Sequence, residues 1–323
     1  MATDRQPISL LLNDASEQAA AQPWLDLEIH QLSPGAYEGH CTIQTLDGMH
    51  LVHERQNQSV HKSGVTRGNL CAISIASKAT PGMRFSQFAS PVDSWIYFLP
   101  GQAELDVNTV DNSETFYLCL DQDALIRDMH RLNPANGQDL AGGPQAFNSA
   151  QTARLAINFS RVLQHSRKEG GVLSPNCASL LRDSVLNALN DATDVAKVNR
   201  RVQSGWRTHR LVSAAREYID ACLKTGRVPS IAEICVATSA SERSLQYAFR
   251  NFLQLTPVAY LRTLRLNRVR ADLLAATPSH TTVTLIAMRW GFVHLGDFSR
   301  DYRCLFGEPP SETLAQAPLY SAL

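Results

Sequence analysis

No stretch of 18 or more consecutive apolar residues occurs in the chain, which argues against a membrane-spanning helix. The opening MATDRQPISLLLNDASEQ also lacks the basic region and apolar block of a signal peptide, so the expected compartment is the cytoplasm, with no membrane partner. Cysteine is sparse: seven residues are scattered from Cys41 to Cys304 without a CxxC pair. An odd total at such spacing argues against a disulfide framework and a zinc cage, and points to reduced, mostly buried thiols. Catalytic signatures are missing too. There is no GxSxG, no GxxxxGK and no HExxH, so nothing supports nucleophilic catalysis or phosphate binding. The chain is expected not to be an enzyme and to hold no metal and no cofactor.

Net charge is the last absence, since 30 Lys and Arg balance 30 Asp and Glu. Division of the chain changes this picture. From Gly205 onward there are 14 Lys and Arg against 9 Asp and Glu, and the preceding part carries the matching acidic excess. A basic C-terminal part suggests a polyanionic partner. The 323 residues, 44% of them hydrophobic, suffice for about two globular domains with proper cores.

Residues 1–132 alternate short β-branched and aromatic stretches with turn residues. GHCTIQTLDGMHLVHERQ, with Asp47-Gly48 as a hairpin turn, is followed by NLCAISIAS, SWIYFLPG and ETFYLCLD. This pattern predicts an antiparallel β-sandwich or small barrel. Residues 133–150 are rich in glycine, proline and polar residues and read as a linker. Two helices are expected over 151–198, and in the second Leu181, Val185, Leu186 and Leu189 form one apolar face. That face serves a dimer interface or packs within its own domain. Residues 199–210 read as a polar, basic connector, and 211–316 as a helical domain with breaks at Gly226–Pro229, Leu255–Pro257, Pro278 and Gly291.

Within that last part, Ser230 and Glu233 make a capping box for a short helix over IAEICVA. A second helix follows, with Leu245, Ala248, Phe249 and Phe252 at the spacing of a buried face. Arg243, Gln246, Tyr247 and Arg250 share the opposite side. Arginine can bond guanine O6 and N7, and glutamine adenine N6 and N7, through the major groove. TPVAYLRTLRLNRVRADLLAATP then predicts a spacer helix about 30 Å long, with Arg262, Arg265, Arg268 and Arg270 available to phosphates or solvent. After it comes TVTLIAMRW, a glycine, and GFVHLGDFSRDYRCLFGEPPSETL, repeating the arrangement. Two helix-turn-helix units so joined could enter successive major grooves, about 34 Å apart.

These motifs, IAEICVATSASERSLQYAFRNFLQLTPVAYLRTLRLNRVRADLL and IAMRWGFVHLGDFSRDYRCLFGEPPSE, resemble those of the AraC/XylS transcription regulators. The resemblance runs over about Val212 to Leu314, where Gly291-Phe292, Phe298, Tyr302, Gly307 and Pro310 fall at family spacing. It implies an α+β chain: an N-terminal cupin-like antiparallel β domain with helices, then an all-α domain with two helix-turn-helix units joined by a long helix. The implied partners are double-stranded promoter DNA, a second copy as homodimer, RNA polymerase and a small-molecule effector whose identity and site are unknown. Activation is the family's commoner output. Arg243, Gln246 and Tyr247 match the base-contacting face of the family's first recognition helix, and Arg250 extends that face. In the second unit the matching positions are His294, Leu295, Gly296, Asp297 and Arg300, with Arg303 beyond them. Leu295 and Gly296 offer no side-chain hydrogen bond to a base. Asp297 puts a negative charge where similar sequences often have a basic residue, so it accepts from cytosine, caps the helix, or pairs with Arg300 or Arg303.

The alternative is a metal-dependent cupin-type enzyme domain fused to a DNA-binding module, suggested by His30, His40, His50, His53 and His61. HLVHE is its nearest approach to a ligand set, yet strand positions 50 and 53 point to opposite faces. A third reading makes the β domain an assembly module without a ligand. Trp95, Tyr97 and Phe98 line a pocket or fill a core.

Overall fold

A computed structural model describes residues 6–76, 82–89, 95–134, 140, 142–168, 176–194, 200–277 and 280–320. Two compact units divide the chain: one joins residues up to Ile29 with Glu38–Gln203, the other joins His30–Tyr37 with Ser204 onward.

The first unit is built on strands β1 (Ile8–Leu12), β2 (Leu25–Gln31), β3 (Gly39–Leu46), β4 (Met49–Gln56), β5 (Val60–Thr66), β6 (Leu70–Ala76), β7 (Arg84–Phe85), β8 (Phe88–Ala89), β9 (Trp95–Leu99), β10 (Glu104–Asn108), β11 (Ser113–Asp121), β12 (Gln145–Asn148) and β13 (Thr193–Asp194). One sheet runs β1-β3-β4-β11-β6-β9-β12-β13 and the other β2-β5-β10-β7-β8. The β3–β4 hairpin closes through Asp47 and Gly48, whose φ angles of 45° and 75° give the two left-handed residues that such a tight turn requires. Helices α1 (Ala15–Ala20), α2 (Gln122–Leu132), α3 (Thr152–Lys168) and α4 (Asn176–Asn190) complete this unit.

The larger sheet is covered on both faces, and the period-2 alternation of its strands shows how. Leu51 on β4, Ile73 on β6 and Phe116 and Leu118 on β11 join Phe159 of α3 and Leu181, Val185, Leu186 and Leu189 of α4 in one core. The apolar face of the second expected helix is thus packed within its own unit. Neighbouring positions point the other way: Glu54, Ser74, Thr115 and Tyr117 line a cavity of about 50 Å³ shared with Leu25, Leu27, Lys62, Leu105 and Val107 of the smaller sheet and with Met83 just before β7. Phe98 joins the helix-covered core, while Tyr97 on the opposite face stacks on Phe85 with centroids 3.9 Å apart.

Two expectations need correction. The expected linker 133–150 contributes β12, which pairs with β9 and buries Phe147; its residues 135–139 and 141 lie outside the described residues, as does the break at Pro278. The expected connector is helical, because α5 (Arg200–Lys224) runs through it. Val212, Ala215, Ile219 and Leu223 recur on one face of α5 and are buried, so packing in its last three turns holds a helix that begins in polar residues.

A buried polar chain faces the cavity. Tyr117 donates its hydroxyl to Gln22 (2.6 Å), Gln22 donates to Glu54 (2.7 Å), and Lys62 donates to the other Glu54 oxygen (2.6 Å). Burial, followed by the Glu54 carboxylate, pushes the nearby Cys41 thiol up to about 12, so it stays protonated and inert. Both charged groups of the Lys62–Glu54 pair are almost fully buried. Removing one should strand the other: Lys62→Met is expected to cost about 3–5 kcal/mol in urea denaturation, and the double variant Lys62→Met/Glu54→Leu to recover most of that loss.

Candidate nucleic-acid interface

The second unit continues with α6 (Ile231–Ala237), α7 (Glu242–Leu253), α8 (Pro257–Leu274), α9 (Val283–Arg289), α10 (Leu295–Phe306) and α11 (Pro310–Tyr320). α6 starts at the capping box, in which Ser230 accepts from the Glu233 amide (3.2 Å) and Glu233 accepts from the Ser230 amide (2.7 Å). Ser239 takes a φ of 51° in the turn, and Ser241 caps α7 by accepting from the Ser244 amide. Leu245, Ala248, Phe249 and Phe252 are buried in a core that includes Val212, Ile219 and Leu264. The opposite face of α7 is open. Arg243 and Arg250 are exposed, Tyr247 is 68% exposed, and half-buried Gln246 donates to Glu242 at 3.0 Å.

Thr256 caps α8 by accepting from the Ala259 amide, with Pro257 in the first turn. Eighteen residues give about 27 Å of helix. Its arginines are all engaged within the unit. Arg262 pairs with Asp301, Arg268 lies 3.5 Å from Asp220, and buried Arg270 pairs with Glu308 at 2.8 Å. Arg265 donates to the Trp290 carbonyl (2.7 Å) and stacks its guanidinium 4.2 Å from the Phe292 ring centroid. Gly291, with φ 76°, sits where an added Cβ would come 3.1 Å from that guanidinium. The spacer arginines are therefore structural groups first.

In the second unit Phe292, Phe298, Tyr302 and Phe306 form a run of aromatic contacts with successive centroid distances of 5.0, 5.7 and 4.7 Å. They pack on Leu266, Val269 and Leu273 of α8. This core holds α10 with His294, Gly296, Asp297, Arg300 and Arg303 exposed. Leu295, matched to the recognition positions by the resemblance, is half-buried and packs against the core. Asp297 pairs with Arg300 (2.8 Å), and Arg300 also approaches Asp301 (3.6 Å). Among the described residues Arg243, Arg250 and Arg303 have no ion-pair partner.

The histidines of the rival reading are dispersed. His50 stacks on Trp24, with centroids 4.1 Å apart, and meets the Thr45 hydroxyl at 3.1 Å. His53 stacks on Phe116 and bonds Glu114 at 2.7 Å; burial lowers the pKa of both rings. His61 bonds Asp106 at 3.1 Å. No group of three His, Cys, Asp or Glu side chains suited to a metal occurs among the described residues, and no described helix is long and apolar enough to cross a membrane.

Two helix pairs, each with an aromatic core and a polar second helix, joined by one rigid helix, define a DNA-binding protein of the tandem helix-turn-helix class. Residues 234–316 match the model of a helix-turn-helix domain family. The chain belongs to the AraC/XylS family of transcriptional regulators, its helix-turn-helix domain at the C-terminal end. It is 39% identical over 108 residues to the probable thc operon regulatory protein of Rhodococcus erythropolis, a match covering 33% of this chain and 32% of that one. It is 38% identical over 86 residues to XylDLEGF operon transcriptional activator 2 of Pseudomonas putida, covering 27% of this chain and 55% of the relative. The chain thus spans about a third to about half of the length of these relatives. A solved structure, a probable AraC family transcriptional regulator from Rhodopseudomonas palustris, is 39% identical, with 33% of this chain and 97% of that chain covered and a TM-score of 0.31.

The Asp297–Arg300 pair yields a prediction. Asp297→Asn removes a negative charge from the exposed face of α10 and releases Arg300, so affinity should rise on any duplex and the salt dependence steepen by about one phosphate equivalent. Thermal stability should stay within about 0.5 kcal/mol, because the pair is exposed. Binding titrations at several salt concentrations, with a melt beside them, check both halves.

Proposed function

We propose that this chain is a sequence-specific regulator of transcription whose first recognition helix, α7, reads most of the bases, while α10 mainly positions the protein on the duplex. The observation that carries this reading is the contrast in available charge. α7 offers Arg243 and Arg250 without ion-pair partners, with exposed Tyr247 between them, whereas on α10 Arg300 is held by Asp297 and Asp301 and Arg303 alone, in the last turn, lacks a partner. A guanidinium free to form two parallel hydrogen bonds distinguishes guanine from the other bases. One already engaged by carboxylates contributes mainly to phosphate attraction. Activation is the favoured output, in keeping with the name of the Pseudomonas putida relative.

Arg243→Ala should lose about 1–3 kcal/mol on a selected duplex and little on random DNA, whereas Arg300→Ala should weaken both more evenly. Fluorescence anisotropy with both duplexes measures this, and equal losses for Arg243→Ala on the two would refute base reading by α7.

For the first unit we favour a small-molecule sensor over an assembly module without a ligand. The support is the cavity between its sheets, apolar over Leu25, Leu27, Met83, Leu105 and Val107 and polar at Gln22, Glu54, Lys62 and Tyr117. An apolar lining with a few convergent polar groups is the chemistry of a ligand pocket, and a metabolite would have to widen the present space of about 50 Å³ to enter it. A thermal-shift screen of small metabolites should find compounds that raise the melting temperature of the wild-type protein and lose that effect when Ala72, which lines the cavity, is enlarged to Leu.

A further inference from the structure

The second unit contains a piece of chain far from the rest in sequence. Residues His30–Tyr37 group with the helices from Ser204 onward, outside the 234–316 segment that matches the family model. Their contacts explain why. Asn267 on α8 accepts from the Gln31 amide and donates to the Gln31 carbonyl, both at 2.9 Å, so the spacer helix holds this backbone at two points. The buried Gln31 side chain then turns to α10, donating to the Leu305 carbonyl at 2.7 Å and to the Ser33 and Gly35 carbonyls at 2.9 and 2.6 Å. The Gly35 amide reaches the Cys304 and Leu305 carbonyls at 3.1 and 3.0 Å.

The last carbonyls of any helix lack partners within the helix. Here two of those on α10 are satisfied by residues some 270 positions earlier. Ala36 lies so close over Gly307 that a Cβ there would meet the Ala36 nitrogen at 2.8 Å and its Cβ at 2.9 Å. That leaves glycine, already required by a φ of 78°, with a second reason to be there. Leu32 meanwhile enters the core of the first helix-turn-helix unit beside Val212 and Leu264. One strap therefore touches the first core, the spacer helix and the end of the second recognition helix.

We propose that residues 31–36 are an integral, non-contiguous part of the DNA-reading unit, in which Gln31 and Asn267 act as positioning residues that set α10 relative to α8. No base contact is assigned to the strap. The inference rests on the reading that both recognition helices engage DNA, so the test has one arm that needs no DNA.

In the full chain, Gln31→Met keeps the side chain's bulk and removes its donors, and Asn267→Leu removes the pairing from the other side. Each variant is first shown to melt cooperatively. The first arm is backbone hydrogen exchange of the free protein. Amides in the last turns of α10 should exchange faster in both variants, with those of α7 unchanged. The second arm uses a duplex selected by the wild-type protein from a random pool, beside a random-sequence duplex. Because α10 is read as a sequence-independent anchor, affinity should fall on both duplexes by a similar factor, about tenfold, as loss of one or two buried hydrogen bonds allows. Unchanged exchange in α10, equal loosening of α7 and α10, or unchanged affinity for both duplexes would each overturn the proposal. A wild-type footprint confined to one major groove would instead remove the two-helix reading, and exchange alone would then decide whether the strap positions α10.

Discussion

One helix serves two cores, and the geometry of the DNA-binding unit follows from that. The N-terminal half of α8 gives Tyr260, Leu261 and Leu264 to the core behind α7, and its C-terminal half gives Leu266, Val269 and Leu273 to the core behind α10. An 18-residue helix buried along both halves cannot bend without opening one core or the other. The separation of the two recognition helices is therefore fixed by about 27 Å of helix, close to the repeat of successive major grooves. The arginines of α8 follow the same logic. Each is satisfied within the unit, and Arg265 and Arg270 stack on Phe292 and Phe306 as well, so they tie the spacer to the second core. A basic helix between the two helix-turn-helix units is here mainly a structural one.

The first unit solves a different problem. Its larger sheet must be apolar toward α3 and α4 and yet line a cavity with polar groups on the other side. Strict alternation does this. Phe116 and Leu118 face the helices, while Thr115 and Tyr117 between and beside them face the cavity. Such a strand has no room for a one-residue slip, since every inward and outward residue would exchange places. The Asp47-Gly48 turn fixes the register of the hairpin at one end, and the Glu54–Lys62 pair joins the two sheets across the cavity. Burying two charges is costly unless each is paired and hydrogen-bonded. Gln22 and Thr115 supply the remaining bonds to Glu54.

Much of this was legible in the sequence, and the reasons are specific. The capping box at Ser230 and Glu233, the Thr256-Pro257 start and the spacing of Phe292, Phe298, Tyr302 and Phe306 are local signals, each sufficient to place a helix end or a buried face. The Asp47-Gly48 hairpin is equally local. What escaped depends on distant partners. β12 lies in a glycine- and proline-rich stretch and is a strand because β9 offers it an edge. α5 extends into polar residues because its later turns are packed. Leu295 is matched to a base-contacting position by the resemblance alone, yet it stands three residues before Phe298 and seven before Tyr302, at the spacing of the buried face, and packs inward at the first turn of α10. Nothing near Gln31 announces that its partners are Asn267 and Leu305, since neither spacing nor composition links residues so far apart in the chain.

The unequal division of labour proposed for the two recognition helices rests on a difference that is visible in sequence. On α7 a single acidic residue, Glu242, engages the neutral Gln246 and leaves both arginines unpaired. On α10 two aspartates sit one turn and one residue from Arg300, and the second of them also receives Arg262 from the spacer. Moving Arg300 onto a base would leave Asp297 facing phosphate with its charge uncompensated. The pair can be given up near DNA only where the new contact outweighs that repulsion, which favours a backbone contact made without a large rearrangement. On the proposed reading, specificity then falls to α7, whose two arginines have no carboxylate to give up.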